Sequence, residues 1–194
     1  MVEAGVTLAR AGGPDAVVLR EVTRAVGVVP NAAYRHFADR DALLSAVREV
    51  AIAKLAERMA AGMDLVREGP HTPAGAIKRL RAVGEAYLAF ARDEPGLFDT
   101  AFTTTSHQVS QAGDTPTPFG HLQRALNDLV HAGVLAPQRR EDVEHAIWAT
   151  VHGTAVLLRG PLSSLPQELK RILEERSLDF IGAAVDPASA QNAS

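Results

Sequence analysis

The chain has 194 residues, enough to bury a sizeable core in one domain or two. With 46% hydrophobic and 22% charged residues it has the composition of a water-soluble globular protein, and no apolar run approaches the roughly 18 residues needed to cross a bilayer. Cysteine is absent, which excludes disulfides and thiolate metal sites; the net charge of −3 hides a neutral first 50 residues with six arginines and six acids, so phosphate binding stays possible but non-specific affinity is modest.

The amino terminus "MVEAGVTLARAGGPD" has no cationic region leading into an apolar stretch, so a secretory signal is not expected and a cytoplasmic location fits best. Helical periodicity dominates and no strand alternation is visible, predicting an all-α fold of about nine helices. The first covers Val2 to Ala11 and is ended by Gly12-Gly13-Pro14. The second covers Asp15 to Val26, with Val18, Leu19, Val22 and Val26 on one side, and Gly27 breaks it. Pro30 suits the first turn of a third short helix to Phe37, because its missing N–H would have no partner there. Asp39 caps a long fourth helix to about Leu65, with Leu43, Leu44, Val47, Val50, Ala51, Leu55 and Met59 inward.

The segment "REGPHTP" then marks a candidate boundary. A fifth helix is predicted over Ala74 to Arg92 and a sixth over Leu97 to Phe102. Thr103 to Pro118, rich in Thr, Ser, Gly and Pro, reads as a loop that could serve as a lid or entrance. The seventh helix covers Phe119 to Ala132, the eighth about Gln138 to Arg159 and the ninth about Pro166 to Ala184, before a polar tail over 186–194.

Two short helices around a tight turn at Gly27 have the spacing of a helix-turn-helix, whose second helix enters the DNA major groove. Asn31, Tyr34, Arg35 and His36 would supply donors and acceptors on the outward side: Asn suits adenine, Arg guanine or phosphate, and Tyr and His phosphate oxygens. The residues alone also permit Tyr34 and Phe37 as core aromatics, with His36 a satisfied surface residue.

The stretch "AVVLREVTRAVGVVPNAAYRHFADRDALLSAV" closely resembles the DNA-binding region of TetR-type (tetracycline-repressor-like) transcriptional regulators, over about residues 2–60. Gly27-Val28, Tyr34, His36, Phe37, Arg40 and Leu43-Leu44 fall on the family pattern. The resemblance implies that Tyr34, His36 and Arg40 bond backbone phosphates. It also implies that Asn31, Ala32 and Arg35 face the groove, where Ala32 could meet a thymine methyl. Phe37, Leu19, Val22 and Val28 would form the small core of that unit.

Two departures stand out. Val18 and Val29 occupy places where the family usually has a capping Ser or Thr, a loss of about 0.5–2 kcal/mol each for the cap. The first helix is also short, without the basic amino-terminal arm common in the family; either the start is trimmed in this chain or the protein binds DNA without that arm. Both departures point to weaker DNA affinity than the family norm.

The resemblance further implies a two-part organisation: 1–50 as the DNA-binding unit, linked by the fourth helix at about 39–65 to a ligand-binding and dimerisation domain over 66–185. "AIWATVHGTAVLLRG" (146–160) is similar to the Trp-x-x-x-His-Gly signature of one regulatory domain of that family. Trp148 and His152 stand four apart on one helix face, and Gly153 permits close approach of another helix. They suit a pocket wall, or equally packing residues with His152 bonded to a backbone carbonyl. Tyr87, Phe90, Phe98 and Phe102 are further pocket candidates.

The last two predicted helices, with Leu169, Ile172, Leu173, Leu178, Phe180 and Ile181 on the ninth, leave hydrophobic faces wider than one monomer covers, which predicts a homodimer through them. The expected partners are therefore a double-stranded, approximately palindromic DNA operator, an apolar or amphipathic small-molecule effector, and a second copy of the chain. Half-sites would lie about 34–36 Å apart or somewhat more. A small-molecule-binding helical dimer with weak or lost DNA binding is the alternative.

No metal or cofactor is expected. His145 and His152 stand seven apart with Glu141 and Glu144 nearby, and His121 and His131 share the seventh helix, but no His pair has the i, i+4 spacing of zinc helices. No phosphate loop, nucleotide-binding glycine turn or nucleophile elbow is present, and Asp39 and Asp41 are explained by helix capping, so no catalytic residue is assigned.

Overall fold

The computed structural model describes residues 1–29, 35–103 and 117–186, apart from the side chain of Asp142. Among these residues the chain forms eight α-helices and no strand: α1 (Val2–Gly12), α2 (Leu19–Val26), α3 (Arg40–Asp64), α4 (Pro73–Asp93), α5 (Pro95–Phe102), α6 (Pro118–His131), α7 (Arg140–Arg159) and α8 (Gln167–Val185). Single 3₁₀ turns at Pro14–Ala16 and Pro137–Arg139 precede α2 and α7. The all-α expectation holds.

The chain divides into two compact units, Met1–Lys54 with Asp93–Thr115, and Leu55–Arg92 with Pro116–Ser194. In the first, α1 packs on α2 and α5. Val6, Ala9, Val17, Val22, Leu43, Val47, Leu97 and Phe98 form its core. Close backbone contact brings α5 in: a Cβ on Gly96 would lie 2.1 Å from the Ala9 carbonyl oxygen, so only glycine fits. Arg10 donates to Glu94 at 2.7 Å across the same seam.

The second unit is a helical bundle in which α7 packs on both α6 and α8. Leu55, Met59, Met63, Leu80, Tyr87, Leu126, Leu129, Ile147, Val151 and Leu178 are buried in it. The Arg79 guanidinium bonds the Met63 carbonyl at 3.1 Å and Asp128 at 3.3 Å, closing the turn after α3 onto α6. Thr117 caps α6 by accepting from the Gly120 N–H at 3.0 Å.

Local signals explain most helix ends. Asp39 Oδ1 accepts from the Ala42 N–H at 2.8 Å, the expected cap of α3. Gly27 takes φ 70°, ψ 27°, and the Gly27 and Val28 N–H groups return to the Arg24 and Thr23 carbonyls, a Schellman closure that needs a residue tolerant of positive φ.

The start of α2 differs from expectation. Asp15 does not open it; α2 begins at Leu19, after the 3₁₀ turn and an extended Val18. The cause is tertiary. Val17 is buried, and Arg40 donates to the Val17 and Pro14 carbonyls at 3.0 and 2.8 Å, occupying acceptors that a continuous helix would use. The expected apolar side of α2 is also corrected. Val22 is buried, but Val18, Val26 and Val28 are exposed, and Val17 holds the core place expected for Val28.

Candidate functional site

In the first unit, the turn at Gly27 delivers the chain to the segment expected to read DNA. Asn31, Ala32 and Tyr34, and most of the third predicted helix, lie outside the described residues. Arg35 and His36 are exposed in a turn, and Phe37 is half-buried. Val29 is 71% exposed, and Val18 occupies the N-cap of α2 with no side-chain cap bond, as its hydrocarbon side chain dictates.

Arg40 has a task the sequence did not reveal. Its bonds to the Pro14 and Val17 carbonyls tie the first turn of α3 to the start of α2, and Asp15 lies 3.7 Å from the same guanidinium. Two of its donor nitrogens are thereby committed within the protein.

The second unit holds a cavity of about 330 Å³. Its walls come from α3 (Met59), α4 (Ile77, Leu80, Val83, Gly84, Tyr87), α6 (Leu122), α7 (Ile147, Trp148, Val151) and α8 (Leu178, Ile181, Val185). This lining is aliphatic and aromatic. Charge enters at Arg81, Asp179 and Asp186, with Arg81 and Asp179 bonded at 2.9 Å. The Arg81 guanidinium is held protonated above its ordinary range chiefly by that bond, with Glu85 adding to it against burial. Gly84 allows α4 and α8 to touch here: a Cβ on it would meet Leu178 Cδ2 at 2.4 Å.

Behind the wall, the Tyr87 hydroxyl and His152 Nδ1 lie 2.7 Å apart. Burial pushes the Tyr87 phenol upward and the His152 imidazole downward, so both are neutral near pH 7 and the tautomer of His152 decides which group donates. Trp148 packs edge-on to Tyr87 at 5.3 Å and to Phe119 at 5.5 Å, and lies parallel to the His152 ring at 6.5 Å. A buried apolar ligand would therefore meet aromatic surface, with the nearby phenol already engaged.

Tyr87 and Trp148 thus line the cavity, and His152 sits against Tyr87. Phe90 is buried on α4 but is not among the lining residues. Phe98 and Phe102 belong to the first unit, where their rings pack 4.9 Å apart. Among the described residues, an added Cβ on Gly153 meets no atom within 4 Å, so no described helix uses its small size. The sequence reasoning missed Phe119, whose position in the first turn after Thr117-Pro118 was the available signal, and it placed Leu178 and Ile181 on the dimer face. Both are buried cavity residues, whereas Phe180 between them points outward and is 66% exposed.

Of the histidines considered for a metal, His145 is largely exposed and His121 is buried. Among the described residues His121 Nδ1 has no hydrogen-bond partner, and burial, assisted by Arg124 against Asp64, pushes its pKa down. Among the described residues no group of three His, Cys, Asp or Glu is placed to hold a metal ion, and no helix is long and apolar enough to cross a membrane.

Residues 1–47 match the family described as bacterial regulatory proteins, tetR family, and residues 80–181 match the tetracyclin repressor-like C-terminal domain. No curated protein matches the sequence. Among solved structures, the chain is similar to a protein with unknown function from Rhodococcus sp. RHA1, with TM-score 0.73 and 23% identity over 95% of this chain and 93% of that one. It is also similar to the TetR family transcriptional regulator PfmR from Thermus thermophilus, with TM-score 0.60 and 16% identity over 95% and 96% of the two chains. At these identities the likeness concerns the fold.

Proposed function

The chain belongs to the tetR family of bacterial regulatory proteins, and from that premise we propose that it is a homodimeric repressor released from DNA by an apolar small molecule. Residues 1–50 would bind DNA, with Asn31, Ala32 and Arg35 in the major groove and Tyr34 and His36 on the phosphate backbone. Residues 66–185 would hold the effector and the dimer contact. The observation that carries the ligand half of the reading is the 330 Å³ apolar cavity, of the size and lining typical of small-molecule sites. Met59 brings α3 to its wall, and α3 begins at Arg40, beside the DNA segment. A ligand that prefers one position of α3 would oppose DNA binding through a shared two-state equilibrium.

The dimer half rests on a separate observation. Val156 and Leu157 on α7, and Leu169, Ile172 and Phe180 on α8, are exposed on two helices packed side by side. A second copy covering this face would form an isologous four-helix interface.

A mobility-shift titration against the promoter DNA of its own and neighbouring genes tests the proposal. Salt-sensitive, sequence-dependent binding to an approximately palindromic site is expected, weakened by a ligand that fills the cavity. No sequence-dependent binding at low ionic strength would refute the repressor reading. It would leave a small-molecule-binding dimer, which the neutral first 50 residues and the uncapped Val18 would then explain.

A further inference from the structure

We propose that His71 and His131 form a site for a transition-metal ion of the Zn²⁺, Ni²⁺ or Cu²⁺ type, which ties the turn before α4 to the end of α6. Nothing in this site depends on the DNA, effector or dimer readings above.

The two imidazoles come from distant parts of the chain, so no short histidine spacing marks them in the sequence. In the fold they stack, with ring centroids 5.3 Å apart and planes 21° from parallel. Both residues are exposed, which leaves the rings room to turn one nitrogen each toward a shared ion. With metal–nitrogen bonds of about 2.0–2.1 Å, two imidazoles on a tetrahedral ion hold their centroids about 5 Å apart. The observed spacing therefore calls for rotation of the rings and no movement of the backbone.

Each backbone is held without the ion. His71 lies between Pro70 and Pro73, in a turn where the Gly69 carbonyl accepts from the Thr72 N–H at 3.1 Å and from the Thr72 hydroxyl at 2.8 Å. The same hydroxyl oxygen accepts from the Gly75 N–H at 3.1 Å and so caps α4. A Cβ on Gly75 would lie 2.1 Å from the Gly69 carbonyl oxygen, so only glycine lets the turn fold this tightly onto the helix. His131 ends α6, where the Ala132 and Gly133 N–H groups return to the Asp128 and Val130 carbonyls and Gly133 takes φ 72°. With both backbones fixed, little ordering is left to oppose binding.

The ligand chemistry selects the ion. Imidazole nitrogen suits Zn²⁺, Ni²⁺ and Cu²⁺, whereas Ca²⁺ and Mg²⁺ require oxygen ligands. Glu68 and Asp128, the carboxylates nearby in sequence, are held by Lys78 and by Arg79 (at 3.3 Å), which also neutralises two cations early in α4. The terminal carbonyls of α6 place partial negative charge beside His131, which favours a cation there. Two protein ligands are fewer than the four of a structural zinc site, so water fills the rest and the ion exchanges.

Titration of Zn²⁺ into the metal-free full chain, read by calorimetry and by thermal unfolding, tests the site. The wild type should bind in the micromolar range. Zn²⁺ at about a hundredfold excess over its Kd should raise the folding equilibrium constant about a hundredfold, seen as a higher Tm. His71→Ala and His131→Ala should each weaken the tightest Zn²⁺ binding by about tenfold or more, since even the outer partners of a metal ligand are worth about 10–100-fold. Without metal, each variant should keep the wild-type Tm because both rings are exposed, which separates lost ligation from lost folding. His71→Gln and His131→Gln give the same comparison should alanine disturb the turn. The double variant should bind no more weakly than either single one, because one imidazole alone makes no chelate. Ca²⁺ should leave the wild-type Tm unmoved. No micromolar Zn²⁺ binding by the wild type, or a single variant that keeps wild-type affinity, overturns the proposal. Additive losses in the double variant, the mark of two separate sites, or an equal response to Ca²⁺ overturn it as well.

Discussion

Replacing Arg40 by alanine separates two roles for one side chain, a phosphate contact and an internal clamp. The guanidinium donates to the Pro14 and Val17 carbonyls at 2.8 and 3.0 Å. A hydrogen bond from a charged donor is worth about 1.5–3 kcal/mol when shielded from water. This side chain is 39% exposed, so water takes over part of each bond, and about 1 kcal/mol apiece is the fitting scale. Asp15, fully exposed, adds little. The expected loss is therefore about 2 kcal/mol, or about 4–8 °C in Tm for a chain of this length. Arg40→Lys keeps the charge but replaces the planar fork with a single ammonium, and about half the loss should remain. Thermal and urea unfolding followed by circular dichroism, in the absence of DNA, reads both. A Tm unchanged within about 1 °C in Arg40→Ala, below even half of one such bond, would refute the clamp and return Arg40 to DNA alone.

Val18→Thr should stabilise the protein by about 0.5–1 kcal/mol, because the N-cap geometry is already in place and only the oxygen is missing; an unmoved urea midpoint would mean that the first N–H groups of α2 have other partners. Gly27→Ala should lower stability by about 1 kcal/mol through its positive φ, with Gly27→Asn losing less, and equal losses in the two would speak against the left-handed cap. Tyr87→Phe should cost about 1 kcal/mol by removing the bond to His152, and a smaller effect in the background of His152→Ala than in the wild type would assign that cost to the pair. Burial depresses the pKa of His121 and His152, so the unfolded chain takes up protons first as pH falls. Their contribution is complete above the unfolded value of about 6.5 and is lost as pH falls from there toward the folded values. Urea midpoints between pH 7.5 and 5.5 should fall accordingly, and His121→Phe should flatten that slope; an unaltered slope would remove His121 from the account.

Features whose cause lies within a few residues were legible in the sequence. Gly27 ends α2 because a left-handed cap is a local demand, and Asp39 opens α3 because its carboxylate reaches an N–H three residues ahead. The helical period alone placed Leu43, Val47, Ala51, Leu55 and Met59 on a buried stripe. Tyr87 and Trp148 stood out as aromatics in a chain poor in them, and both reach the cavity.

What tertiary structure decided is where distant partners compete for the same groups. Arg40, 23 and 26 residues beyond the carbonyls it bonds, moved the start of α2 to Leu19, which no local propensity encodes. On α8, hydrophobicity marks Leu178, Phe180 and Ile181 alike; packing within the bundle divides them, because Leu178 seats against Gly84 while Phe180, about 200° round the helix from Leu178, is left 66% exposed. A sequence carries the strength of an apolar face, while the neighbour that covers it, from this chain or from a second copy, is set by three-dimensional contact.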